Sequence, residues 1–388
     1  MKYSQNFNMS RMLGLPIAAL MSLTLIACGG GGDTTPVATS VTFSSKLSGD
    51  QELVPTVTGG VGTGTLILLA PSNTVFGSIN INGLTATAAH IHSGAVGANG
   101  PIIVGLTESA PGSGSWSVPT GTVFTQAQAD ALNSGSLYFN AHTPENPTGE
   151  IRGQIGREVS AAQLTSAQEV PANSSTAKGN GLFSFDPLTK KFSARLTLVG
   201  MTAVAAHIHN GTVGVNGAVL FPLTETAAGS GTWVSAADAA LTDAQVTLLN
   251  SGALYFNAHS AAFPGGEIRG QIGKNVRVVP MSGDQETTPT GSTATGTGTL
   301  ILDPFTRAAA GSFTVTGMTA TAGHIHLGVA GANGPIIYPL TMTSPNVFSV
   351  PAGTVFTAEQ FKAFKQGNLY FNAHSAAFPG GEIRGQIR

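Results

Sequence analysis

A single cysteine, Cys28, stands in 388 residues. Disulfide bonds within the folded chain are therefore excluded, and each domain must hold together through its own apolar core. Charge is just as scarce: Asp, Glu, Lys and Arg make up 9% of the chain, with a formal net charge of −2. A nucleic-acid partner needs many cations to replace its counterions, so DNA and RNA drop out. Aromatic residues reach only 7%, and no histidine lies outside three triplets. What remains is rich in Gly, Thr, Ser, Ala and Val, a mixture that favours strands joined by tight turns. The length fits two to four domains of an all-β extracellular protein.

The triplets organise everything else. Ala-His-Ile-His ends at His92 and His209, returns as Gly-His-Ile-His at His326, and each copy is followed by Tyr-Phe-Asn-Ala-His ending at His142, His259 and His374. His90, His207 and His324 are spaced 117 residues apart. A repeat of that length is a whole domain rather than a solenoid turn. We therefore expect three β-sandwich domains, beads on a string, at residues 41–156, 157–273 and 274–388. Each has one short helix, opened by the capping boxes Thr125-x-x-Gln128, Thr242-x-x-Gln245 and Thr357-x-x-Gln360 and closed near Gly135, Gly252 and Gly367. Gly-x-Asn-Gly turns follow the first histidine pair, and Gly-Glu-Ile-Arg-Gly-Gln-Ile closes each unit.

Residues two apart on a strand share a face. His90 and His92 then point one way with Ile91 opposite, and Tyr138, Asn140 and His142 share a face opposite Phe139 and Ala141. Neighbouring strands would gather one outward polar patch per unit. Three neutral imidazoles suit copper or zinc better than calcium or magnesium, which want oxygen. The expected ligands are His90, His92 and His142; His207, His209 and His259; His324, His326 and His374, one metal per domain. Glu150, Glu267 and Glu382 are expected to orient a ring N–H or add a fourth ligand, and Arg152, Arg269 and Arg384 to attract an anion. Ring nitrogens within roughly 4 Å of one another would mark an ion site. Wider separation would mark a stabilising polar network, the bland alternative. The Gln-Glu pairs at Gln51-Glu52, Gln168-Glu169 and Gln285-Glu286 are expected to tie the first strand to this patch.

At the start, Lys2 and Arg11 precede the apolar run Met12–Ala27. The run is too short for a convincing membrane span and reads as a secretory signal over residues 1–28. Leu25-Ile26-Ala27-Cys28 resembles the lipobox of bacterial lipoproteins. That likeness implies lipidation at Cys28, membrane attachment through the lipid, an outer-membrane or extracellular setting, and a tether over residues 29–40.

The motif series as a whole, from Gln-Glu through Ala-His-Ile-His and Leu-Tyr-Phe-Asn-Ala-His to Gly-Glu-Ile-Arg-Gly-Gln-Ile, resembles the CHRD domain, named after chordin. The resemblance implies an immunoglobulin-like or superoxide-dismutase-like sandwich with no established activity. A weaker likeness to copper/zinc superoxide dismutases would give His90, His92, His142 and Arg152, and their counterparts in the other units, the copper and anion-guiding roles. Those enzymes' fourth copper histidine, zinc-loop ligands and disulfide have no match here. The expectation is a non-enzymatic cell-envelope lipoprotein that binds metal, its protein or matrix partner unspecified. The alternatives are a structural or adhesive surface protein and a dismutase-like redox enzyme.

Overall fold

The computed structural model describes residues 38–388. The expected signal sequence, Cys28 and residues 29–37 of the expected tether lie outside the described residues. Thr39 and Ser40, also read as tether, are instead the start of the first strand. Pairing with Ala70 and Leu69 holds them there, extending a ladder in which Leu66 and Leu68 of the partner strand are buried.

The middle unit shows the architecture most simply. Its strands are β1 (Glu158–Thr165), β2 (Lys178–Phe185), β3 (Phe192–Val199), β4 (Ala205–Asn210), β5 (Val219–Glu225), β6 (Thr232–Val234), β7 (Leu254–His259) and β8 (Ile268–Gln271). All neighbours are antiparallel, in the order β1-β2-β3-β6-β5-β4-β7-β8, and β8 returns to β1 through Arg269 and Thr165. The sheet is a closed barrel. Closure leaves no edge strand to recruit another chain.

The first and third units repeat this ring with β5 in two pieces. Ile102–Gly105 and Thr107–Glu108 flank Leu106, and Ile336–Pro339 and Thr341–Ser344 flank Leu340. These pieces form the two ends of each nine-stranded sheet. Leu106 N donates to Ala89 O and Leu340 N to Gly323 O, each over 2.9 Å, so the chain stays seated beside β4 across the gap. The three units are thus antiparallel sheets curled into barrels.

Alternation explains the inside of each barrel. In the middle unit Leu164, Phe183, Leu196, Ile208, Phe256 and Ile268 alternate with outward residues and are at most 1% exposed. Gly181 on β2 faces Phe256 on β7 across the core, and a Cβ there would lie 2.5 Å from the ring. Glycine sets how closely these two walls approach.

One short helix, α1, precedes β7: Gln126–Asn133, Asp243–Asn250 and Ala358–Gln366 in the three units. Each has the expected capping box, and Gly135, Gly252 and Gly367 adopt φ of 71°, 70° and 75° at the far end. Among the described residues no helix is long and apolar enough to cross a membrane.

The units are not independent beads. Asp50 of the first unit pairs with Lys365 of the third, their side chains 10% and 5% exposed. Asn275 of the third donates to the same carboxylate over 3.0 Å. Arg307 Nη1 donates to Gly59 O over 3.0 Å, and a Cβ on Gly59 would collide with the Ala358 carbonyl at 2.0 Å. Residues far apart in sequence form this seam, and for that reason spacing could not reveal it.

Candidate metal centre

Each centre forms where β4 (Ala88–Ser93 in the first unit, Ala320–Leu327 in the third) and β7 (Leu137–His142 and Leu369–Ser375) run side by side. His90 lies opposite Asn140, His92 opposite Tyr138, and Ala88 opposite His142. Ile91, Phe139 and Ala141 are fully buried in the core, which turns the alternate positions outward. The register repeats with His207 opposite Asn257 and with His324 opposite Asn372.

Three rings converge on one point in each unit. His90 Nδ1 lies 3.0 Å from His142 Nε2, with 3.2 Å for His207 and His259 and 2.9 Å for His324 and His374. One donor atom from each of His90, His92 and His142 falls within 4.8 Å of the others, and the same holds for the other two triads. One pair thus meets the expected 4 Å limit and the full set is somewhat looser. Zinc–nitrogen bonds of about 2.0–2.1 Å place tetrahedral donors about 3.4 Å apart. The His90–His142 hydrogen bond would have to give way for the set to close, and each triad could then hold one metal ion.

Backbone carbonyls fix the tautomers. His92 Nδ1 lies 2.9 Å from Gly100 O and His142 Nδ1 lies 3.1 Å from Pro147 O. A carbonyl only accepts, so each Nδ1 carries the proton and each Nε2 keeps its lone pair. His142 Nε2 receives the proton of His90 Nδ1. His92 Nε2 is buried with no partner, as are His209 Nε2 and His326 Nε2. The same buried acceptor stands without a donor in all three units.

Electrostatics keep the rings neutral. Burial lowers the pKa of His90, and the neighbouring His142 and His92 lower it further, since two imidazolium ions would repel. Burial also lowers His92 and His142, against the opposing pull of their carbonyl partners. In the third unit burial and the two other rings bring His324 down to about 4. Neutral imidazole is the ligating form.

The carboxylates and guanidiniums expected around the ligands serve elsewhere. Thr143 donates to Glu150 Oε2, Ser175 to Glu267 over 2.6 Å and Ser292 to Glu382 over 2.7 Å. Carbonyls, not these glutamates, take the ring protons, because the loops after β4 and β7 bring backbone closer than any acid. Arg152 is 1% exposed, its Cζ 3.5 Å from the centre of the Tyr138 ring. It donates to Ala95 O at 2.8 Å, Gln154 Oε1 at 3.2 Å and Asn99 Oδ1 at 3.4 Å. Arg269 and Arg384 make the matching bonds to Thr212 O and Val329 O at 2.7 and 2.8 Å. Buried guanidiniums engaged this way do not reach out to draw anions; they build the loop that carries Gly100 and its counterparts.

Tyr138 and Asn140 have roles that spacing did not disclose. The Tyr138 ring stacks on His92 at 4.9 Å with 14° between planes, and its hydroxyl accepts from Gly100 N over 3.2 Å. Stacks at 5.0 and 4.7 Å repeat this for His209 on Tyr255 and His326 on Tyr370. Asn140 Nδ2 donates to Glu52 Oε1 over 3.1 Å, so the first Gln-Glu pair does join the polar patch. Burial raises Glu52 to about 7 despite the pull of Arg152 and Asn140, and raises Glu169 to about 7 as well. The period-two run Tyr-x-Asn-x-His placed both residues on the histidine face but named neither partner. Trp116 and Trp233 are packed away at 7% exposure, with Phe348 near the equivalent place.

A family model of the CHRD domain matches residues 43–155, 160–272 and 278–387. No curated protein and no solved structure matches the chain. Because the three matches together span most of its length, the chain belongs to the CHRD domain family, with the domain present in three tandem copies.

Proposed function

We propose that each CHRD unit is a copper- or zinc-binding module, and that the chain is a non-enzymatic, lipid-anchored protein of the bacterial cell envelope. The observation that carries the metal reading is the buried, unpartnered Nε2 of His92, His209 and His326, each beside two further imidazoles. Three protein nitrogens leave a fourth position for solvent or an exogenous ligand. The barrel, with His-x-His on one strand and a later histidine on its neighbour, supports placing the unit among dismutase-like sandwiches. The arginines, held inward by carbonyls, argue against dismutase-type anion guidance.

A stabilising network is the second reading, favoured by the His90–His142 hydrogen bond of 3.0 Å. Elemental analysis of untagged protein after supplementation with copper or zinc separates the two. Metal binding requires one equivalent per triad, lost when His90→Ala, His207→Ala and His324→Ala are combined. Protein that stays metal-free, with a denaturation midpoint unmoved by added metal, would refute it.

A further inference from the structure

We propose that the triads select by ionic charge and hold Cu(I) in preference to Zn(II) or Cu(II). The inference rests on the metal-binding reading above and adds the oxidation state. Three neutral imidazoles form each donor set, with no carboxylate or thiolate among them. The Nδ1 protons of His92 and His142 go to the carbonyls of Gly100 and Pro147. A carboxylate acceptor would make the ligand more basic and lend negative charge to the ion; a carbonyl lends much less. Nothing in the immediate set offsets a second positive charge.

A fixed cation stands close by. Strand β7, with Tyr138, lies between β4, which carries His92, and β8, which carries Arg152. His92 stacks 4.9 Å from the Tyr138 ring and the Arg152 Cζ sits 3.5 Å from it. The guanidinium is thus one ring's thickness from a ligand imidazole. Repulsion between that field and a bound ion scales with the ion's charge. The third unit repeats the layers with His326, Tyr370 and Arg384, the second with His209, Tyr255 and Arg269. Glu52, a carboxylate that interacts with Arg152, accepts from Asn140 and belongs to no triad.

Coordination number points the same way. Zn(II) takes four ligands and would have to recruit its fourth from outside the donor set. Cu(I), a monovalent closed-shell ion, is satisfied by three. Imidazole accepts either metal, so charge and coordination number decide.

The test is an anaerobic competition on the full, untagged chain, with bathocuproine disulfonate reporting Cu(I) and X-ray absorption reporting its ligands. One Cu(I) per triad, bound by nitrogen alone and retained against an excess of about ten-fold Zn(II), is the expected result. Ready displacement by Zn(II), or equal filling by both, would overturn charge selection while leaving the metal centre standing. Failure of either ion to bind would remove the centre itself, and the inference with it. Replacing the cations by Arg152→Gln, Arg269→Gln and Arg384→Gln should narrow the preference for Cu(I) by about ten-fold. An unchanged preference in the folded variant would overturn the role given to the guanidiniums, and if the variant does not fold the wild-type competition decides alone.

Discussion

The histidine centres and the seam between the first and third units follow opposite patterns. His90, His207 and His324 each meet a β7 histidine at 2.9–3.2 Å, with the same tautomer-fixing carbonyls and the same tyrosine stack. Asp50, which anchors the seam, has Ala167 and Asp284 as its counterparts 117 residues on, and Asp284 is exposed. Lys365, its partner, corresponds to asparagines at Asn133 and Asn250. A centre made wholly inside one unit is copied intact when the unit is copied. A seam joins surfaces that duplication leaves identical, so it needs changes peculiar to each copy. The centres should therefore act singly, and the seam should act on the whole chain.

Deleting one centre tests that contrast most severely. His207→Ala with His259→Ala should abolish binding in the middle unit and spare the other two of the three triads. Metal-to-protein ratios measured on the variant would expose any dependence of one centre on another.

Asp50→Ala should cost about 3–5 kcal/mol, because Lys365 is left buried without its counter-charge. Denaturant unfolding should then show the third unit melting apart from the first, with metal stoichiometry unchanged. A variant as stable as the parent would mean the seam contributes little.

Protonation gives a smaller, signed effect. Glu52 is raised to about 7 by burial, so its contribution to stability is present below its ordinary pKa and is lost as pH rises towards 7. Glu52→Gln should raise the unfolding free energy read from urea denaturation at pH 8, by an amount on the order of 2 kcal/mol, and leave it nearly unchanged at pH 4. The histidines run the other way. Their lowered pKa values mean that the unfolded chain binds more protons, so metal-free protein loses stability as pH falls below about 6.5 towards the lowered values, about 4 for His324. Midpoints of the Gln variant across this range would separate the two contributions.

Tyr138→Phe should be mildest. It removes the hydroxyl that accepts from Gly100 N and costs about 1 kcal/mol, with a small loss of affinity in the first unit alone. An effect spreading to the other units would break the separation between centre and seam.

By itself the sequence determined three copies, their strand-rich composition and the grouping of nine histidines into triplets, because a period of two fixes which side chains share a face of a strand. Pairing β4 with β7 then makes His90, His92 and His142 neighbours, which the shared-face argument anticipated. Only the tertiary structure decided which atom of each ring faces the centre, since that depends on the carbonyls of Gly100 and Pro147 in loops whose path no local pattern dictates. The inward turn of Arg152 and the burial of Asp50 against Lys365 were likewise settled by folding, because hydrogen bonding and desolvation depend on partners distant in the chain.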